Sequence, residues 1–233
     1  MNLDPKPMHM AMPNRKMAES VSLEKYNELV TENFVPLDIK LDVELFEQQM
    51  FGNEHLFKHW GPKDKHPHMF RKGIALVNAD GRMDPDEWDA CVGPLDVWNR
   101  RHNVSSFDPD YTVHTPALNW SCFDPLEPLK PYMQRSAIIW FNTGSFFYPH
   151  IDQFAPFENI RLWGTNKPDG YLFTFLDGTT HTNRKIEPGR LYLVDTSKLH
   201  YPEAFEDDVF TFFISVSPQS YDILKSMVIK DDM

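Results

Sequence analysis

The stretch Tyr148-Pro149-His150-Ile151-Asp152 decides how the rest of the chain is read, together with His200 at the end of Asp195-Thr196-Ser197-Lys198-Leu199-His200. A His-x-Asp pair followed by a distant His is the ligand set with which two imidazoles and one carboxylate hold a transition metal such as Fe(II), leaving the opposite face open. The residue types suit that task, because neutral imidazole is a good donor to such ions and one carboxylate offsets part of the charge. His150 and Asp152 lie two residues apart, so on a β-strand they share a face, and His200 has to arrive from another strand. The pattern alone is weak in a chain with ten histidines. Strand ends and turns use the same residue types, and zinc accepts the same donors.

The flanks carry the pattern further. Ala137 to Phe141 precedes the turn Asn142-Thr143-Gly144-Ser145; Tyr171 to Leu176, Gly189 to Asp195 and Asp208 to Val216 follow. Each is rich in β-branched or aromatic residues and is broken off by Gly, Pro or Asp, which predicts a ladder of short strands.

With these segments in order, Asn142-Thr143-Gly144-Ser145, Tyr148 to Asp152, Asn159-Ile160-Arg161-Leu162, Glu187 to Asp195 and His200 resemble the 2-oxoglutarate/Fe(II) oxygenases. Within them the chain is most similar to the aspartyl/asparaginyl β-hydroxylase-like branch. The resemblance implies Fe(II) held by His150, Asp152 and His200, 2-oxoglutarate as cosubstrate, and a double-stranded β-helix core of the jelly-roll, cupin-like kind. It implies hydroxylation of an Asp, Asn or Pro side chain, so the partner is a small-molecule or a peptide/protein substrate. Arg161 matches the branch's Arg that follows the first His, and its planar fork suits the far carboxylate of 2-oxoglutarate. Arg184 and Arg190 are the reserve candidates, and Asn142, Trp140 and Trp163 are expected to line the same cavity. On its own letters Arg161 also reads as a surface residue paired with Glu158 or Asp152.

The chain departs from the branch in three places. Asp152 stands where the best-known members have Gly, so this chain carries the fuller triad. The downstream position where many members of the superfamily place a carboxylate-binding Arg falls on Phe210 or Thr211, and Trp163 replaces a frequent His. The last departures leave room for another class, a jelly-roll binding or structural module with a vestigial metal site.

Composition sets the outer limits. The chain has 233 residues, 41% of them apolar and 14% aromatic, which is enough for one domain with a sizeable core. The Met- and Pro-rich residues 1 to 20 lack the apolar segment of a signal peptide and read as a flexible tail. Residues 21 to 233 then form a single oxygenase domain whose β-helix core lies at about 135 to 217. No apolar run is long enough to span a membrane. Cys91 and Cys122 read as two reduced thiols, which points to the cytoplasm. A formal net charge of −11 argues against general nucleic-acid binding. The basic run Lys58, Lys63, Lys65, Arg71 and Lys72, interleaved with His59, His66 and His68, reads as a solvated loop or as a rim facing the substrate.

The first half supplies the helices. Ser22 is a natural N-cap for a helix over residues 22 to 34, and a second is expected from Val43 to Met50, stopped by Gly52. Gly73 to Asn78 reads as a strand, Asp86 to Val92 as a short helix, and Gln219 to Val228 as a terminal helix. Proline at 94, 109, 116, 125, 128 and 131 makes the stretch between irregular, with Trp98 and Trp120 as anchors. One decoy lies here: Asn78, Asp80, Gly81 and Glu87 fit four places of an EF-hand calcium loop, but its first place is Leu76, which has no oxygen to offer. The expectation is a mainly β (α+β) protein with N-terminal helices packed on one sheet.

Overall fold

A computed structural model describes residues 19–59, 71–83, 99, 107–153, 155–177, 180–182 and 186–229. The expected tail, apart from its last two residues, lies outside them. So do the expected helix at 86–92, Trp98, Cys91, Arg184, and the middle of the basic run.

In chain order the elements are α1 (Leu23–Leu29), β1 (Phe34–Lys40), α2 (Val43–Gly52), β2 (Lys58–His59), β3 (Arg71–Asn78) and β4 (Val113–His114). They continue with β5 (Ser136–Phe141), β6 (Ile160–Thr165), β7 (Tyr171–Asp177), β8 (Thr180–Thr182), β9 (Arg190–Val194), β10 (His200–Ala204), β11 (Val209–Val216) and α3 (Tyr221–Met227). Short 3-10 turns fill the proline-rich stretch between β4 and β5. Ser22 caps α1 by accepting from the Lys25 N–H at 3.2 Å, and Asp42 caps α2 through the Leu45 N–H at 3.1 Å.

The strands form an eight-stranded sheet in the order β1-β9-β6-β11-β5-β3-β2, with β4 also on β3, and a three-stranded sheet in the order β10-β7-β8. All pairings are antiparallel, and the crossovers between the two sheets make this the jelly-roll, cupin-like double-stranded β-helix. Alternation sorts the side chains. Phe210, Phe212, Ile214 and Val216 of β11 pack with Phe46 and Met50 of α2 and Leu224 of α3 on the outer face. Between the sheets, Ile139, Phe141, Trp163, Tyr192, Val194 and Val209 meet Tyr171, Phe175 and Ala204 of the smaller sheet. The helices thus cover one face of the large sheet, and the small sheet covers the other.

Several expectations are corrected here. The first helix stops at Leu29, and residues 34–40 form an edge strand paired with β9. Pro36 is tolerated at this edge because it is asked only to accept there, its carbonyl receiving the Ile229 N–H at 2.9 Å. The β-structure therefore begins far ahead of residue 135. The basic run is not a solvated loop where it is described: Lys58–His59 pairs with Lys72 and Gly73 as strands, Arg71 pairs with Phe141, and Arg71 is 3% exposed. Trp120 is half-buried against the outer-face core, as an anchor should be.

Candidate metal centre

His150 lies in no long strand. It forms an isolated bridge with His200, the first residue of β10, each N–H donating to the other's carbonyl at 2.9 and 3.0 Å. The 189–195 strand that precedes His200 does not run beside the His-x-Asp segment; as β9 it lies between β1 and β6. The Asp152 N–H donates to the Thr196 carbonyl at 3.0 Å, which ties the segment to the loop leading into β10.

These backbone contacts bring three donors together. Nε2 of His150 lies 3.4 Å from Asp152 Oδ1, and Nε2 of His200 lies 3.7 Å from Oδ2. One ligand atom from each of the three residues falls within 4.8 Å of the others. Among the described residues no other cluster of His, Cys, Asp and Glu does so. Nδ1 of His150 is 2.8 Å from the Tyr148 carbonyl and Nδ1 of His200 is 2.8 Å from the Lys198 carbonyl. A carbonyl only accepts, so each Nδ1 carries a proton, and each Nε2, facing Asp152, is left as the ring's metal-binding atom. Burial alone would push the Asp152 pKa up. The charge and hydrogen bond of His150, and then those of His200, outweigh it and hold the carboxyl well below the usual range. Two oriented imidazoles and an ionised carboxylate are the donor set a divalent transition metal needs, so the residues fit such an ion.

The surroundings are aromatic. Phe173 stacks on His200 with centroids 5.0 Å apart, and Phe147 meets His150 edge-on at 4.5 Å. His200 is buried, whereas the His150 and Asp152 side chains keep 14% and 16% exposure, so the centre is reached from one side. Phe147 and Phe173 were not singled out from the sequence. The period-two run Tyr171, Phe173, Phe175 was the available signal.

The other candidates fall in different places. Arg161 is 2% exposed on the inner face of β6 and pairs with Asp108 and Ser215, not with Glu158 or Asp152. Arg135 binds the second oxygen of Asp108 at 3.2 Å, so one buried carboxylate is shared by two guanidinium groups. Trp163 shares the inner face. Trp140 does not: it packs with Phe210, Phe51 and Phe57 on the outer face, and its indole N–H donates to Asp208 at 3.1 Å. Register explains the split, since Trp140 sits between the inward residues Ile139 and Phe141. Asn142 accepts weakly from the Asp208 N–H at 3.4 Å, at the far end of the barrel. Arg190 reaches the Leu37 carbonyl at 2.9 Å and Glu187 at 3.1 Å.

No family model matches the sequence, and no curated protein matches it. Among solved structures, the chain is similar to a prolyl hydroxylase from Trichoplax adhaerens in complex with a hypoxia inducible factor oxygen degradation domain peptide fragment. The identity is 13% and the TM-score 0.45, with 85% of this chain and 89% of that chain covered. The fold assignment rests on the strand order and pairing described above.

Proposed function

We propose that the protein is an Fe(II)- and 2-oxoglutarate-dependent oxygenase that hydroxylates an amino-acid side chain, Asp, Asn or Pro, in a peptide or as a free amino acid. The observation that carries this reading is the convergence of His150, Asp152 and His200, with both Nε2 atoms aimed at one point. Bound there, Fe(II) with 2-oxoglutarate would supply O2 activation coupled to decarboxylation of the 2-oxo acid and hydroxylation of a C–H bond.

The residues of the chain do the rest. Tyr148 and Lys198 lend their carbonyls to fix the imidazole tautomers, and Thr196 anchors Asp152 through its backbone. Phe147, Phe173, Phe175 and Trp163 keep the inner side dry, where polar contacts with a bound 2-oxo acid gain strength. The partly exposed side of His150 and Asp152 is the approach left for a substrate. No helix among the described residues is long and apolar enough to cross a membrane, and the reading places the enzyme in the cytoplasm.

The test is succinate formation from 2-oxoglutarate by protein loaded anaerobically with Fe(II) and then exposed to O2, with and without candidate peptides containing Asp, Asn or Pro. Iron-dependent succinate that rises with one peptide class supports the reading. Iron-loaded protein that leaves 2-oxoglutarate untouched would remove it in favour of a binding module.

A further inference from the structure

We propose that Arg71, with Tyr171 beside it, holds the far carboxylate of a small 2-oxo dicarboxylic acid whose keto-acid end reaches the His150–Asp152–His200 centre. The inference rests on the reading of that centre given under Proposed function and names a residue that the sequence pattern placed elsewhere.

Register supplies the first argument. Arg71 pairs with Phe141, and Phe141 pairs with Val209, so Arg71 extends the inward-facing row at the far end of the chamber. Its neighbour Lys72 turns outward, with its ammonium 3.8 Å from the centre of the Trp140 ring. On β11 that inward row offers only Val209 and, one step on, Thr211, neither of which carries charge. At the opposite end of the row lie Arg135 and Arg161, whose charges already share Asp108.

Distance supplies the second. The Arg71 guanidinium lies 4.4 Å from the centre of the Phe147 ring, and Phe147 lies 4.5 Å from the ring of His150. A single aromatic ring therefore separates the cation from a candidate metal ligand. On the other side, Tyr171 stacks on Trp163 at 5.7 Å, Trp163 meets Phe173 at 5.2 Å, and Phe173 stacks on His200. Two rows of rings thus run from Arg71 and Tyr171 to the two histidines. A short molecule with an anion at each end would meet the cation at one end of these rows and the metal centre at the other.

Electrostatics supplies the third. Burial pushes the Arg71 pKa down to about 9, and Tyr171 is the group that pulls it back up. The guanidinium is still charged at neutral pH, and a carboxylate arriving there would meet a two-pronged partner and offset part of the cost of its burial. The Trp163 indole, in the same inner cluster, hydrogen-bonds with Tyr171 and so ties that ring to the row leading to His200.

The experiment compares 2-oxoglutarate with 2-oxobutyrate, which has the same keto-acid end and no far carboxylate, by anaerobic calorimetry on Mn(II)-loaded protein. Wild type should prefer 2-oxoglutarate. Arg71→Gln should weaken 2-oxoglutarate by about 10- to 150-fold, the range for losing a hydrogen bond to a charged group. Affinity for Mn(II) and for 2-oxobutyrate should hold, and Arg71→Lys should keep part of the preference. If wild type binds Mn(II) but neither acid, the reading of the centre fails and this inference with it. If Arg71→Gln binds 2-oxoglutarate as wild type does, the anchor is elsewhere while the reading of the centre stands. If Arg71→Gln loses Mn(II) and both acids, Arg71→Lys decides: restored preference for 2-oxoglutarate supports the anchor, and its absence overturns it.

Discussion

His150 and His200 donate their backbone N–H groups to each other's carbonyls, at 2.9 and 3.0 Å, and this reciprocal bridge is what lets residues fifty positions apart offer Nε2 atoms to one carboxylate. The geometry of the centre is therefore set by main chain, and the side chains need only the tautomer that Tyr148 and Lys198 impose. Substitution at a ligand should then change metal binding with little change in fold.

The buried pair of arginines makes a stability prediction. Asp108 is 5% exposed and serves both Arg135 and Arg161. Asp108→Asn removes the charge that both depend on and should cost roughly 3–5 kcal/mol, the range for stranding one side of a buried ion pair. Urea unfolding of the variant checks it. A midpoint equal to that of wild type would mean that the two arginines find other compensation. Arg161→Ala, which leaves Asp108 with Arg135 alone, should also destabilise the protein, and more than it weakens 2-oxoglutarate.

Gly189 has φ +76 and sits between two strands, its N–H on Thr165 and its carbonyl on Leu41. A Cβ there would collide with the Leu41 carbonyl oxygen and crowd Val43. Gly189→Ala should cost more than the about 1–2 kcal/mol of a left-handed backbone alone. A thermal melt reads the loss, and an unchanged Tm would contradict the packing of α2 against this turn.

The calcium-like letters should bind nothing. Asn78 Oδ1 accepts from the N–H groups of Asp80 and Gly81, at 3.2 and 2.6 Å, and Asp80 pairs with Arg82 at 2.7 Å. The oxygens that a cation would need are thus occupied by the turn itself. Melts with calcium and with chelator should coincide. A calcium-dependent rise that Asn78→Ala abolishes would show otherwise.

Cys122 is free and buried, and burial pushes its thiol up to about 12. Thiolate is the reactive form, so burial leaves very little of it at pH 8. Peptide mapping after iodoacetamide should find Cys122 unmodified in the folded protein and modified in urea. Rapid labelling of the native form would place it nearer the surface.

Much of the fold was legible because alternation and punctuation are local. Val209–Val216 and Ser136–Phe141 announce themselves by composition, and Ser22 is a cap written in the letters. Residues 34–40 were missed because Pro36 and a half-regular pattern hide an edge strand that only its pairing with β9 reveals. The triad was legible only once the flanking strands and the family resemblance were weighed with its spacing. The partners of Arg161 and the inward turn of Arg71 were not, since Asp108 lies fifty-three residues from Arg161 and Phe141 seventy from Arg71. Side-chain direction across a sheet depends on register, and register is a property of strand pairs.

The central claim is that His150, Asp152 and His200 hold one metal ion. Anaerobic calorimetry with Fe(II) or Mn(II) on wild type and on His150→Ala, Asp152→Gly and His200→Ala tests it most directly, with circular dichroism to show that each variant is folded. The account predicts one site in wild type, its loss in both histidine variants, weak residual binding in Asp152→Gly, and a Tm that rises with metal only where metal binds. A folded His200→Ala variant that binds one equivalent with wild-type affinity would contradict it.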